Sequence, residues 1–278
     1  MGMIPKWTRW SEARVLEAAE FQIPECAYFA GGVVWLWTHP APEPGRVNED
    51  SLCVIPLGEK RGVIAVADGM GGVRGGGAAS ATAVHALWES LKDLGNIPIR
   101  TAILDGIEKA NERVLATGLG NATTLTVLEI DEGITRLYQV GDSGALIFGN
   151  RGRMKDRTTL HSPVGYAVES GLVEPEEALH SEERNIVSNF VGSAEMRIEI
   201  GVGTELARYD TCIIGSDGLF DNLSQDEIVE IARTGSISQK GEKILQRIET
   251  RMRGEDPSAP SKPDDTTVVL FQLVSEKE

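Results

Sequence analysis

Five aspartates stand in short glycine- or threonine-rich contexts, each beside an apolar or β-branched run. They are Asp50 in Asn48-Glu49-Asp50-Ser51, Asp68 in Asp68-Gly69-Met70-Gly71-Gly72, Asp142 in Val140-Gly141-Asp142-Ser143, Asp217 in Ser216-Asp217-Gly218, and Asp264 in Asp264-Asp265-Thr266-Thr267-Val268. Such contexts mark strand ends. Carboxylates gathered at neighbouring strand ends repel one another, by roughly 3 kcal/mol per pair at about 5 Å and an effective dielectric of about 20. A cluster of that kind persists if some groups take up protons or a cation neutralises it. Hard divalent cations prefer carboxylate oxygens, so Mg²⁺ or Mn²⁺ is the natural partner.

Taken singly, each aspartate also fits a plain turn, and Asp264-Asp265 could simply open one. Their joint order and contexts are what argue for a site. The Asp68 loop is not a dinucleotide fingerprint, because Arg74 falls where the third glycine belongs. No GxxxxGK[ST] phosphate loop occurs, and no GxSxG elbow surrounds Ser216. His39, His85, His161 and His180 are scattered, with neither HExxH nor cysteine–histidine ligand spacing, which argues against zinc.

The elements that must position these residues follow from periodicity. Val63–Ala67 is a continuously apolar run, suited to a strand buried on both faces. A helix is expected from about Gly77 to Leu94, with small residues in its early turns, and a second from about Ile99 to Ala116. Thr123–Ile130 and Ile134–Val140 read as a hairpin, followed by a strand at Ala145–Phe148. Thr211–Gly215 and Thr267–Val274 read as further strands. Ser224-Gln225-Asp226-Glu227 is a capping box opening a helix, and another helix is expected over about Lys240–Arg253. Residues 26–37 read as one strand and His39–Pro44 as a loop. In residues 1–23, Ser11 could cap a helix through Phe21 with Val15, Leu16 and Ala19 on one face, making this segment a helical appendage to a domain spanning 24–278. Residues 158–193 are polar and read as a surface subdomain. Helices in pairs and strands in hairpin groups give an α+β fold, with helices covering packed antiparallel sheets.

The chain has 278 residues, is 41% hydrophobic and carries a formal net charge of −15. That length supports one substantial core. The acidic surface disfavours nucleic acid and anionic membranes as partners. No apolar run approaches the ~18 residues of a transmembrane helix, and the N-terminus lacks signal-peptide organisation. Cys26, Cys53 and Cys212 form no CxxC pair, and their sparse, odd number fits a reducing compartment, so a cytoplasmic location is expected.

The ordered set Arg46…Asn48-Glu49-Asp50, Asp68-Gly69-Met70-Gly71-Gly72, Thr123-Thr124-Leu125, Val140-Gly141-Asp142-Ser143, Ser216-Asp217-Gly218 and Asp264-Asp265-Thr266-Thr267-Val268 resembles the metal-dependent serine/threonine protein phosphatases of type 2C, in their bacterial branch. The resemblance covers about residues 26–274, and 158–193 is similar to the family's flap. It implies two packed antiparallel β-sheets flanked by helices on both sides. It also implies two Mn²⁺ or Mg²⁺ ions bridged by Asp68, with the Gly69 carbonyl on one of them and Asp217 and Asp264 completing the other. Asp142 with Asp217 matches a third, weaker metal site. Glu49 and Asp50 match acidic positions around the water ligands, and Arg46 matches the substrate-phosphate clamp. The implied reaction is hydrolysis of phosphoserine or phosphothreonine on a protein by a bridging hydroxide, without a phosphoenzyme, in a monomeric enzyme. Two other readings are a catalytically silent phosphatase-like scaffold and a phosphatase of small phosphoesters.

This chain departs from the family pattern in several places. Arg46 lies one residue closer to the Asn-Glu-Asp block than is usual, Gly144 stands where an arginine often follows Gly-Asp-Ser, and Leu160 replaces the aspartate of the flap's Asp-His-Ser. Ala122 replaces a glycine, and Met70 occupies the place where some members carry a histidine proposed as general acid.

Overall fold

A computed structural model describes residues 7–70, 75–256 and 259–274. Gly71, Gly72 and Arg74 of the Asp68 loop, and residues 1–6 of the expected appendage, lie outside the described residues. Two sheets stack face to face. The first runs, in spatial order, through Thr8–Arg9, Glu25–Phe29, Gly32–His39, Thr266–Leu273, Thr211–Gly215, Gly144–Phe148 and Met154–Arg157. The second runs through Glu199–Ile200, Ile134–Val140, Leu125–Asp131, Arg61–Ala67, Ser51–Pro56 and Arg14–Glu17, with Thr204–Glu205 also paired to its Ile134 strand. Among the described residues, all pairings are antiparallel except the edge pair of Thr8–Arg9 with Glu25–Phe29.

Side-chain alternation along the strands sorts the apolar residues into three layers. Leu52, Val54, Ile64 and Val66 point toward Val34, Leu36, Ile214 and Val269 between the sheets. Their neighbours Cys53, Ile55, Val63 and Ala65 point the other way, onto helices Gly76–Leu91 and Ile99–Ala116. On the opposite side Val33, Trp35 and Leu270 meet helices Gln225–Ala232 and Ile237–Met252. The α-β-β-α sandwich expected from the resemblance is therefore the observed one.

Both C-terminal helices start on capping boxes, Ser224 with Glu227 and Ser236 with Gln239. Residues 158–193 carry the short helices Pro163–Glu169 and Pro175–Ala178 and a 3₁₀ turn at Glu182–Asn185. No helix among the described residues is long and apolar enough to cross a membrane.

Two expectations are corrected. The segment after Ser11 is not a helix: Arg14–Glu17 is a strand paired antiparallel with Ser51–Pro56, register Arg14 to Val54 and Glu17 to Ser51. Val15 and Leu16 fit either period over so short a span, and an open sheet edge supplies backbone partners that an isolated four-residue turn lacks. Likewise residues 26–37 are a hairpin, not one strand, turning at Ala30 (φ 47°) and Gly31 (φ 76°).

Because Ile64 is fully buried between the sheets, Ile64→Ala should lower unfolding free energy by about 2–5 kcal/mol in urea titrations, with the unfolding slope unchanged.

Candidate metal centre

The strand ends converge at one edge of the sandwich, and backbone hydrogen bonds fix each aspartate there. Asp68 follows the strand Arg61–Ala67. Its N–H donates to Thr124 Oγ1 at 2.9 Å, and its carbonyl accepts from Thr123 Oγ1 at 2.8 Å and from the Thr124 N–H at 2.9 Å. The threonine pair thus clamps both sides of one peptide. Thr124 Oγ1 also lies 2.6 Å from Ser143 Oγ, which ties Asp68 to the Asp142 turn. In that turn Gly141 takes φ 107°, a conformation side chains rarely adopt. Its N–H donates to His161 Nδ1 at 3.1 Å, and its carbonyl accepts from the His161 N–H at 2.9 Å. Gly69 is wedged so tightly that a Cβ there would lie 2.3 Å from the Gly76 backbone and 2.7 Å from the Glu49 carbonyl.

Asp217 opens the short helix Asp217–Phe220 directly after Thr211–Gly215. Asp264 lies just before the adjacent strand Thr266–Leu273, and Ser216 and Thr267 exchange backbone and side-chain hydrogen bonds between the two. Asp265 is buried and accepts from the Ala41 and Glu49 N–H groups, both at 2.7 Å. It pins the Asn48-Glu49-Asp50 block to the last strand. Asn48 accepts from the Asp50 N–H at 3.0 Å and donates to the Ala19 carbonyl at 2.7 Å and to Thr38 Oγ1 at 2.8 Å. Glu49 Oε1 accepts weakly, at 3.3 Å, from the Gly77 N–H in the first turn of helix Gly76–Leu91.

This scaffold brings Asp50, Asp68, Asp142, Asp217 and Asp264 into one electrostatic neighbourhood. Burial first, then Asp217, Asp50, Asp142 and Asp264, hold the Asp68 carboxyl well above the usual range. Burial also raises Asp50, with Asp265 and Asp217 adding to it. The neighbouring Ser216 and Thr267 hydroxyls offset part of that rise, although neither Asp50 oxygen has a well-formed hydrogen bond. Asp142 is pushed up to about 8 by burial and by Asp217 and Asp221. Asp264 is pushed up to about 6 by burial and Asp217.

Two residues join the cluster that the sequence reading missed. Asp221 lies four positions after Asp217, and burial and Asp217 push it up to about 6. Lys262 Nζ donates to Asp217, lies 2.7 Å from Asp221 Oδ2 and 3.4 Å from Asp264 Oδ2. The i,i+4 spacing of the two aspartates could have revealed Asp221. Lys262, in a proline-flanked loop, gave no such signal. Arg46 stays on the rim, with its side chain 44% exposed and its Nε 3.9 Å from Asp265 Oδ1.

Among the described residues, no three His, Cys, Asp or Glu side chains are grouped so that they could hold a metal ion as they stand. The Lys262 ammonium is drawn into the carboxylates instead. The donor set nonetheless suits a hard divalent ion. It consists of carboxylate oxygens, and Asp50 keeps two buried oxygens without hydrogen-bond partners.

Comparison with known proteins accords with this geometry. The family model described as protein phosphatase 2C matches residues 43–253. A putative protein phosphatase 2C-type protein of Streptococcus pyogenes is 30% identical over 198 residues, covering 67% of this chain and 80% of that one. The crystal structure of the PPM Ser-Thr phosphatase MsPP from Mycobacterium smegmatis, in complex with cacodylate, superposes with a TM-score of 0.69 at 26% identity, over 87% of this chain and 98% of that one. The catalytic domain of the serine threonine protein phosphatase PstP, in complex with two manganese ions, gives a TM-score of 0.69 over the same shares of the two chains. At 23% identity that likeness shows the fold alone. The chain belongs to the protein phosphatase 2C family, and its enzyme class is that of the serine/threonine protein phosphatases.

The raised carboxyls set a pH dependence for the metal-free protein. Their folded pKa values exceed the unfolded value near 3.8, so the folded state binds more protons than the unfolded state between these limits. Stability therefore falls as pH rises. With chelator present, the melting temperature should drop from pH 6 to pH 8.5, and Asp142→Asn should flatten that slope.

Proposed function

We propose that this chain removes phosphate from phosphoserine and phosphothreonine in proteins with two divalent ions, Mn²⁺ or Mg²⁺, held by Asp68, the Gly69 carbonyl, Asp217 and Asp264. The observation that carries this reading is the gathering of five aspartates from separate strand ends into one electrostatic neighbourhood, with both Asp50 carboxylate oxygens buried and unpartnered. When bound, the ions supply an acidified water near neutral pH and neutralise the phosphoryl oxygens for in-line attack.

The protein's own part is positioning. Asp265 fixes the Glu49 and Ala41 amides, so Glu49 and Asp50 sit on a rigid block from which they would orient the water supplied by the ions. Arg46, exposed at the rim, reaches the substrate phosphate as a charged donor. Met70 offers no proton, so a water held at the metal centre would protonate the leaving serine oxygen. Residues 158–193 act as a flap, joined to the Asp142 turn through His161. We place the enzyme in the cytoplasm as a monomer acting on phosphoproteins. The free thiols of Cys26, Cys53 and Cys212 suit a reducing compartment.

Phosphopeptide turnover should require Mn²⁺ or Mg²⁺, vanish with chelator and fall roughly a thousandfold in Asp68→Asn. Turnover that survives chelation would refute metal dependence. Faster turnover of sugar phosphates would mark a small-phosphoester enzyme, and bound Mn²⁺ without turnover would mark a silent scaffold. Arg46→Ala should raise KM for phosphopeptide by about ten- to a hundredfold, the size of a charge-assisted hydrogen bond, with a smaller change in kcat.

A further inference from the structure

His161 is buried where three separate pieces of chain meet. Its N–H donates to the Gly141 carbonyl at 2.9 Å, and its carbonyl accepts from the Ser188 N–H at 2.8 Å. Ring Nδ1 accepts from the Gly141 N–H at 3.1 Å and from Asn189 Nδ2 at 2.8 Å. The other end of the Asn189 amide settles its orientation, because Oδ1 there accepts from the Arg197 N–H at 2.9 Å. Nδ1 therefore faces two N–H donors and must carry its lone pair, so the ring proton sits on Nε2, 3.2 Å from Glu199 Oε2. Glu199 belongs to the edge strand paired with Ile134–Val140, the strand that leads into Gly141. Just beyond Asn189, Val191 exchanges both backbone hydrogen bonds with Thr123, at 2.8 Å and 3.1 Å, and Thr123 is one of the two threonines that hold the Asp68 peptide.

We propose that neutral His161 is a positioning residue that holds both ends of the 158–193 segment against the Asp142 turn, and that protonating its ring releases them together. The inference rests on the reading of that segment as a flap beside the centre. An imidazolium carries N–H on both nitrogens and accepts nothing, so a proton at Nδ1 would meet the Gly141 and Asn189 donors head-on. Both bonds are lost at once, and two buried donors are left without an acceptor. The groups facing the ring are Glu199 and Arg197 on the edge-strand side, the Tyr166 ring stacked 6.0 Å away on the flap helix, and the Gly141 peptide. Burial pulls the imidazole below its ordinary value; Glu199 opposes this and Arg197 adds to it. The held state therefore binds fewer protons than the released one. The hold is at full strength above the ordinary imidazole value of 6.5 and weakens as pH falls from there toward the lowered folded value. A surface hollow lined by Tyr166, Arg197 and Glu199 gives the proton its way in.

The test follows the full chain by NMR. At pH 7.5 the long-range proton–nitrogen spectrum of the ring should show His161 as the Nε2–H tautomer. Exchange protection of the Gly141, His161 and Ser188 amides, corrected for intrinsic rates, should fall together by up to about tenfold between pH 7.5 and pH 5.5, the linkage of one proton to an imidazole of ordinary pKa. His161→Leu keeps apolar bulk and removes the acceptor, so it should lower protection of these amides by about tenfold or more at pH 7.5 and abolish the pH step. His161→Asn carries no titrating group and should abolish the step as well. An Nδ1–H tautomer, no step in wild type, a step confined to one of the three amides, or a step that persists in either variant would overturn the inference. The wild-type readouts decide it even if a variant fails to fold. None of these readouts uses substrate, so a failed phosphatase assay beside an intact pH step would overturn the proposed function alone.

Discussion

Like charges held together at one edge of the sandwich are the constraint on which the rest of the molecule depends. Each close carboxylate pair costs on the order of 3 kcal/mol at an effective dielectric of about 20, so the cluster would spread if its backbone could move. It cannot move freely, because the restraint is applied to the peptides that carry the aspartates. Thr123 and Thr124 grip the Asp68 peptide, His161 grips Gly141, and Asp265 grips Glu49. Each of these bonds contributes only about 1 kcal/mol net. Their strength comes from anchorage in strands whose other faces are packed into two helix layers and an inter-sheet core.

How much of this could be read in advance depends on the range of the interactions. The helix Ile99–Ala116 and the Ser224–Glu227 capping box matched closely, because both are local patterns. The gathering of the aspartates was legible because the same residue recurs in the same strand-end context several times over. The hairpin at Ala30 and Gly31 was signalled by the Gly31-Gly32 pair, but the apolar residues on both sides read as one continuous run, and alanine seldom takes φ near 47°. Arg14–Glu17 misled because a sheet edge elsewhere in the chain decides its state. Asp265 looked like a turn residue and proved to be the tie between two distant loops. That role depends on partners 224 and 216 positions away, which no local window contains.

Two departures from the family pattern prove to be one. Gly144 and Leu160 are neighbours: a Cβ on Gly144 would lie 2.9 Å from Leu160 Cδ2 and 2.9 Å from the Phe220 ring. A longer side chain at 144 would collide with both. The small residue and the apolar one therefore form a single packed contact between the Asp142 turn and the segment that begins at residue 158, beside the hydrogen bonds that His161 makes to Gly141.

The strand Thr266–Leu273 lies in the middle of its sheet, between Gly32–His39 and Thr211–Gly215, although it is nearly the last element of the chain. Gly32–His39 and Thr211–Gly215 are therefore joined only through a strand that follows both in the sequence, and the Asp265 bonds to the Ala41 and Glu49 amides form only when that strand inserts between them.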